Sequence, residues 1–185
     1  MDSVISALIP DVASDVQTQI ADVPGNFSQA ILNRVVEANT IVRPLKKGER
    51  YREVSPALRR LGIDVDAWSA PPGGLFVVEE RTVYLRSRSP MTVAHEFGHA
   101  VYCALGGGIY LPGIESKIRQ AFLAARSFVT PYAATGIDEY FAEAVRAYAE
   151  VNDPASPWPR ATKTRLIRVD PAMYAIVDSL LGCAT

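Results

Sequence analysis

The sequence predicts an α+β fold, one domain over residues 1–185 in which helices pack on a small mixed sheet. Three observations carry that expectation. Three short β-rich runs occur, "TIVRPL" (40–45), "LFVVE" (75–79) and "TVYLR" (82–86). Much of the remaining chain shows helical periodicity or helix-capping signals. With 185 residues, 49% hydrophobic and 21% charged, it has the material for a single buried core. Residues 1–70 are expected to hold an N-terminal helical part and the first strand. Residues 71–185 hold a hairpin, a motif-bearing helix and the C-terminal helices.

Along the chain, "NFSQAILNRVVEAN" (26–39) predicts an amphipathic helix with Phe27, Ile31, Val35 and Ala38 on one face. Asn26 is its expected N-cap, after the breaker pair Pro24-Gly25. The run 40–45 predicts a short strand that Pro44 pushes toward an edge. Ser55, Pro56 and Gly62 mark the cap, first position and end of a short helix. After "APPGG", the runs 75–79 and 82–86 predict a hairpin joined only by Glu80-Arg81, although that pair lacks the usual glycine. A helix is expected from Pro90 to the stop signal "GGG" (106–108), and others over 114–128 and 136–151. "DPASPWPR" (153–160) is a loop, and Asp170-Pro171 open a closing helix over 171–181.

Composition excludes several functions. Lys+Arg of 19 against Asp+Glu of 20 lacks the basic excess of a general nucleic-acid binder. The basic stretches 43–52, 58–60 and 81–88 read as solvated surface. No apolar run reaches membrane-spanning length. The N-terminus lacks the basic first region of a signal peptide, so the expected location is cytoplasmic, with signal-independent export left open. Cys103 and Cys183 do not make a disulfide framework.

The chemistry concentrates in "TVAHEFGHAVYCAL" (92–105). Its polar residues Thr92, His95, Glu96 and His99 fall at i, i+3, i+4 and i+7, a single stripe on an otherwise apolar helix. Buried polar groups need partners, and a metal ion is a sufficient one. Imidazoles one turn apart direct nitrogens at one zinc ion, and Glu96 beside them reaches a metal-bound water. Both of the chain's histidines are in this motif, so a third ligand must be a cysteine or a carboxylate. Cys103 lies about 12 Å along the axis from His95, too far to converge with it, and reads as packing. Cys183, in the terminal tail, is a weak candidate.

A second helix offers Glu139 and Glu143, i and i+4 within "DEYFAEAV" (138–145). Both lie opposite the apolar stripe of Ile137, Tyr140, Phe141, Ala144, Val145 and Tyr148. Periodicity alone would turn them to water; the empty third position at a catalytic zinc reverses that reading. One glutamate would bind the ion, and the other would accept from a ligating imidazole.

"HEFGHAV" followed by "TPYAATGIDEYFAEAVRAY" resembles the catalytic domain of anthrax lethal factor and its relatives, among them the bacterial Pro-Pro endopeptidases, gluzincin metalloproteases. The resemblance spans roughly residues 75–150. It implies a zincin-like fold with zinc on His95, His99 and Glu139. It also implies Glu96 as general base, Tyr132 as donor to the oxyanion and Glu143 as a support for the ligands. The implied activity is zinc-dependent endopeptidase action on a protein or peptide bound in extended form, paired with either 75–79 or 82–86. The toxin's receptor-binding and substrate-binding parts have no counterpart here, so neither substrate nor biological role carries over. Competing readings are an ImmA/IrrE-like cytosolic regulatory peptidase and a catalytically silent metal-binding interaction domain. A preference for acidic substrates from Arg81, Arg86 and Arg88 is a further expectation. Oligomeric state is not legible.

Overall fold

A computed structural model describes residues 2–10, 12–106 and 112–182 of the chain. Its elements run α1 (Asp2–Leu8), α2 (Ser14–Ala21), α3 (Gln29–Glu37), β1 (Ile41–Pro44), α4 (Tyr51–Val54), α5 (Pro56–Leu61), β2 (Gly74–Val77) and β3 (Thr82–Leu85). They continue with α6 (Pro90–Leu105), α7 (Pro112–Ala124), α8 (Ile137–Tyr148), α9 (Lys163–Val169) and α10 (Pro171–Leu181). The fold is α+β, as expected.

The sheet is mixed, in the order β1-β3-β2. β1 runs parallel to β3, with Ile41 opposite Thr82, and β2 runs antiparallel to it, with Gly74 opposite Leu85. All four residues of the central strand β3 are buried. The β2–β3 connection differs from the expected two-residue turn. Four residues, 78–81, join the strands, closed by Glu80 N–H to Val77 O and Arg81 N–H to Val78 O. Arg81 takes the left-handed conformation (φ 49°) that a glycine usually supplies.

Local chemistry accounts for most helix ends. Ser89 caps α6 by accepting from Thr92 N–H, and Pro90 occupies its first position. The helix ends at Gly106; Gly107 and Gly108 lie outside the described residues. Ser55 caps α5, and Gly62 closes it at φ 68°. Asp170 caps α10 through Met173 N–H. For α3, the expected cap is corrected. Asn26 sits in a 3-10 turn, and Ser28, extended at ψ 151°, accepts from Ile31 N–H instead. The helices α1, α2, α4 and α9 were not individually placed from the sequence, although an N-terminal helical part was expected. In α9 the buried side chain is Leu166, so no apolar stripe announces it.

The main core gathers Phe27 just before α3, Ile31 and Val35 of α3, Val42 and Val83 of the sheet, and the inward residues of α6, α8 and α10. α6 is enclosed on every side, with Val93 through Ala104 all buried. α6 and α8 form the most extensive contact between helices among the described residues. Gly98 makes it possible. An added Cβ there would stand 2.9 Å from Ala142 Cα, so the two backbones touch at that level. Among the described residues, no helix is long and apolar enough to cross a membrane.

Candidate active site

Gly98 lies between His95 and His99, and Ala142 lies between Glu139 and Glu143. The close approach of α6 and α8 at these small residues therefore brings two imidazoles and two carboxylates together. His95, Glu96 and His99 are each 8–9% exposed and Glu143 is 4% exposed. The expectation that periodicity alone gives for Glu139 and Glu143, a water-facing pair, is not met. Glu143 is inside, and Glu139 is half-buried.

Three electron-rich atoms converge. His95 Nε2 lies 2.8 Å from Glu139 Oε2, His99 Nε2 lies 3.5 Å from it, and the two ring nitrogens are 3.2 Å apart. Glu139 Oε2 is fully buried without a hydrogen-bond partner of its own, and both ring nitrogens face it across the shared space. A cation at its centre would satisfy all three atoms at once. The triangle suits zinc, because tetrahedral donors about 2.0–2.1 Å from the ion stand roughly 3.3 Å apart. Among the described residues, His95, His99 and Glu139 form the group able to hold a metal ion. Cys103 is fully buried, as expected for packing, and burial pushes its thiol up. Cys183 lies outside the described residues.

The electrostatics agree with a cation site. Burial alone would pull the His95 pKa down, but the carboxylates of Glu139 and Glu143 outweigh it and lift it to about 10. Burial likewise pushes the Glu139 carboxyl up, yet the His95 and His99 imidazoles hold it well below the ordinary carboxylate range.

The two glutamates of α8 are not equivalent. Glu143 Oε1 accepts from His95 Nδ1–H at 2.9 Å and Arg146 Nε–H at 2.9 Å. Its Oε2 accepts from Thr130 Oγ1–H at 2.6 Å and Arg146 Nη2–H at 2.8 Å. Four donors occupy the roughly four lone-pair sites of the carboxylate, which leaves it no freedom to turn toward an ion. Glu143 instead orients the His95 ring: with Nδ1 turned to this carboxylate, Nε2 is the nitrogen left to face an ion. Arg146, 1% exposed, and Thr130, also 1% exposed, were not singled out from the sequence. The Glu-x-x-Arg spacing within one helix was the available signal for Arg146.

Glu96 points into a cleft of about 370 Å³ lined by Gly74, Met91, His95, Tyr132 and Trp158, among others. Gly74 is required there, since a Cβ at this position would overlap Glu96 Cγ. Burial, the first influence on the Glu96 carboxyl, raises its pKa against the pull of the two histidines. That shift moves a carboxylate toward general-base strength. Tyr132 sits on a 3-10 turn (Tyr132–Ala134), with its ring centroid 5.2 Å from that of His95. Burial first, and then the neighbouring carboxylates, push its phenol up to about 12, so it stays an O–H donor.

The order of strands separates the two expected substrate-pairing runs. β3 is paired on both sides, so 82–86 has no free edge, whereas β2 is the outer strand beside Glu96. Trp158, in a loop read from the sequence only as a connection, is half-exposed on the cleft wall. The arginines expected to favour acidic substrates lie elsewhere. Arg86 pairs with Asp66 and stacks on Tyr51 at 4.7 Å, and neither Arg81, Arg86 nor Arg88 lines this cleft.

No family model matches the chain, and no curated protein matches it. Among solved structures, it is similar to the Pro-Pro endopeptidase of Paenibacillus alvei. The TM-score is 0.64 at 16% identity, over 96% of this chain and 99% of that one. At that identity the likeness is one of fold. The α+β architecture is thus shared with a known endopeptidase across nearly the full length of both chains.

Proposed function

We propose that the chain is a zinc-dependent endopeptidase of the gluzincin type, hydrolysing peptide bonds of a protein or peptide substrate bound in extended form. The observation that carries this reading is the asymmetry between the glutamates: Glu143 is saturated by four donors, while buried Glu139 Oε2 faces two imidazole nitrogens without a hydrogen-bond partner of its own. His95, His99 and Glu139 would hold the metal. The fold shared with an endopeptidase supports the same reading.

Zinc at that position supplies Lewis acidity and a water that ionises near neutrality. The chain's own residues do the rest. Glu96 takes the proton from the attacking water and later delivers it to the leaving amine. The Tyr132 hydroxyl donates to the oxygen that gains charge, where a preorganised donor is worth most. Glu143 keeps His95 in the ligating tautomer. The open edge of β2 pairs with the substrate backbone and presents the scissile bond to Glu96.

A catalytically silent metal-binding domain fits less well. Structural zinc sites are usually closed by four protein ligands. Here the described residues offer three, with a buried carboxylate beside the open side.

The deciding experiment incubates zinc-loaded wild type and Glu96→Gln with a peptide library and reads cleavage by mass spectrometry. Cleavage by wild type alone, with zinc kept by both proteins, is the expected result. Equal cleavage by the variant would remove the assignment.

A further inference from the structure

The connection between Glu143 and Tyr132 runs through one hydroxyl. Thr130 Oγ1 donates to Glu143 Oε2 at 2.6 Å and accepts from the backbone N–H of Ala133 at 3.2 Å. Ala133 is fully buried and belongs to the turn that carries Tyr132. Pro131, with φ fixed at −60°, joins Thr130 to Tyr132 without a free rotation in φ. The hydroxyl therefore uses both its donor and its acceptor capacity on two otherwise separate pieces of the site. One piece sets the His95 ring, and the other sets the tyrosine above it.

We propose that Thr130 is a positioning residue that couples the orientation of His95 to the turn bearing Tyr132, so that both are fixed together. The proposal deepens the metalloprotease reading and rests on it for the role of Tyr132. The coupling itself is a property of the hydrogen bonds. Without the hydroxyl, Glu143 loses one of four donors, and the buried Ala133 amide loses its acceptor. His95 then gains freedom to rotate, and the turn loses the bond that pins its first residues.

The test uses the full chain with three substitutions. Thr130→Val keeps the shape and removes the hydroxyl, Thr130→Ala removes it without apolar bulk, and Thr130→Ser keeps it. Zinc affinity is measured by competition with a chromophoric chelator, using zinc alone as the probe. In metal-free protein, NMR follows the His95 Nδ1–H signal and the hydrogen exchange of the Ala133 amide. Loss of the hydroxyl should weaken zinc binding about 10–100-fold. It should also abolish the slowly exchanging Nδ1–H signal and speed Ala133 exchange, with Thr130→Ser close to wild type in all three. Valine and alanine variants that keep the Nδ1–H signal and the protected Ala133 amide would overturn the coupling. The failure modes separate: a wild type that binds no zinc removes the metal reading, while the two NMR signals still decide the role of Thr130.

Discussion

Gly98 on α6 lies against Ala142 on α8 with no room for a side chain between them; a Cβ on Gly98 would stand 2.9 Å from Ala142 Cα and 3.1 Å from its carbonyl oxygen. Each residue follows one member of the site by three positions and immediately precedes another. The separation of the two helices at this level sets the distance between the histidines and the glutamates. A glycine inside a helix is costly, about 1 kcal/mol relative to alanine, and here the close approach is its compensation.

Gly98→Ala should therefore destabilise the protein despite its better helix propensity. Overpacking costs about 1–3 kcal/mol and outweighs the propensity gain. Zinc affinity should fall with it, because the ligand set is spread. Thermal melts and chelator competition check both. A variant more stable than wild type with unchanged zinc affinity would contradict the account.

Gly74→Ala tests the other side of the site. Its Cβ would overlap Glu96 Cγ and meet Thr92 Cγ2 at 2.9 Å, without touching a proposed ligand. Zinc content should stay at the wild-type level while turnover drops on the order of 100-fold, the scale of a misplacement near 1 Å. Parallel loss of zinc and activity would show that β2 supports the metal rather than the base.

Arg146 is a buried guanidinium whose Nε and Nη2 both donate to Glu143 and whose Nη1 donates to Val151 O at 3.2 Å. Arg146→Met leaves the Glu143 carboxylate buried with two of its donors gone. Breaking a buried pair from one side costs about 3–5 kcal/mol, to be read from urea unfolding. The double variant Arg146→Met/Glu143→Gln should recover part of that loss. A single variant within 1 kcal/mol of wild type, on the scale of about 1 kcal/mol expected for an exposed pair, would mean that the clamp contributes little.

Glu80 provides a pH signature remote from the candidate metal site. It accepts from Ser55 Oγ at 2.7 Å and from the Ala57 amide and the Tyr84 hydroxyl. Burial pushes its carboxyl up, yet these donors outweigh burial and hold it below the ordinary 4.5. A depressed folded pKa contributes stability above the unfolded value and loses it as pH falls through the folded one. The stability difference between wild type and Glu80→Gln should be flat above about pH 5 and shrink under further acidification. A difference that grows toward low pH would reverse the sign.

Much of the candidate site was legible because its grouping is written in local spacing. His95, Glu96 and His99 fall on one helix stripe, and Glu139 and Glu143 repeat the one-turn interval on another. The caps Ser55 and Asp170 act over three residues and were equally readable for α5 and α10; for α6 the start at Pro90 was read, but not its cap Ser89. Thr130 was not, since its role exists only where the Tyr132 turn meets α8. The choice of β2 over β3 as the open edge depends on β1 reaching across from residues 41–44 to pair in parallel. No pattern within either strand encodes that pairing. The cap of α3 was misplaced by two residues because the 3-10 turn after Val23 absorbs Asn26 before the helix begins.

In the proposed site Glu139 is a metal ligand and Glu143 is not. Elemental analysis of purified wild type, Glu139→Ala and Glu143→Ala, each offered zinc and then dialysed, tests this assignment most directly. Wild type should hold near-stoichiometric zinc, Glu139→Ala should lose it, and Glu143→Ala should keep weakened but detectable zinc. Equal zinc in wild type and Glu139→Ala, or none in wild type, would contradict it.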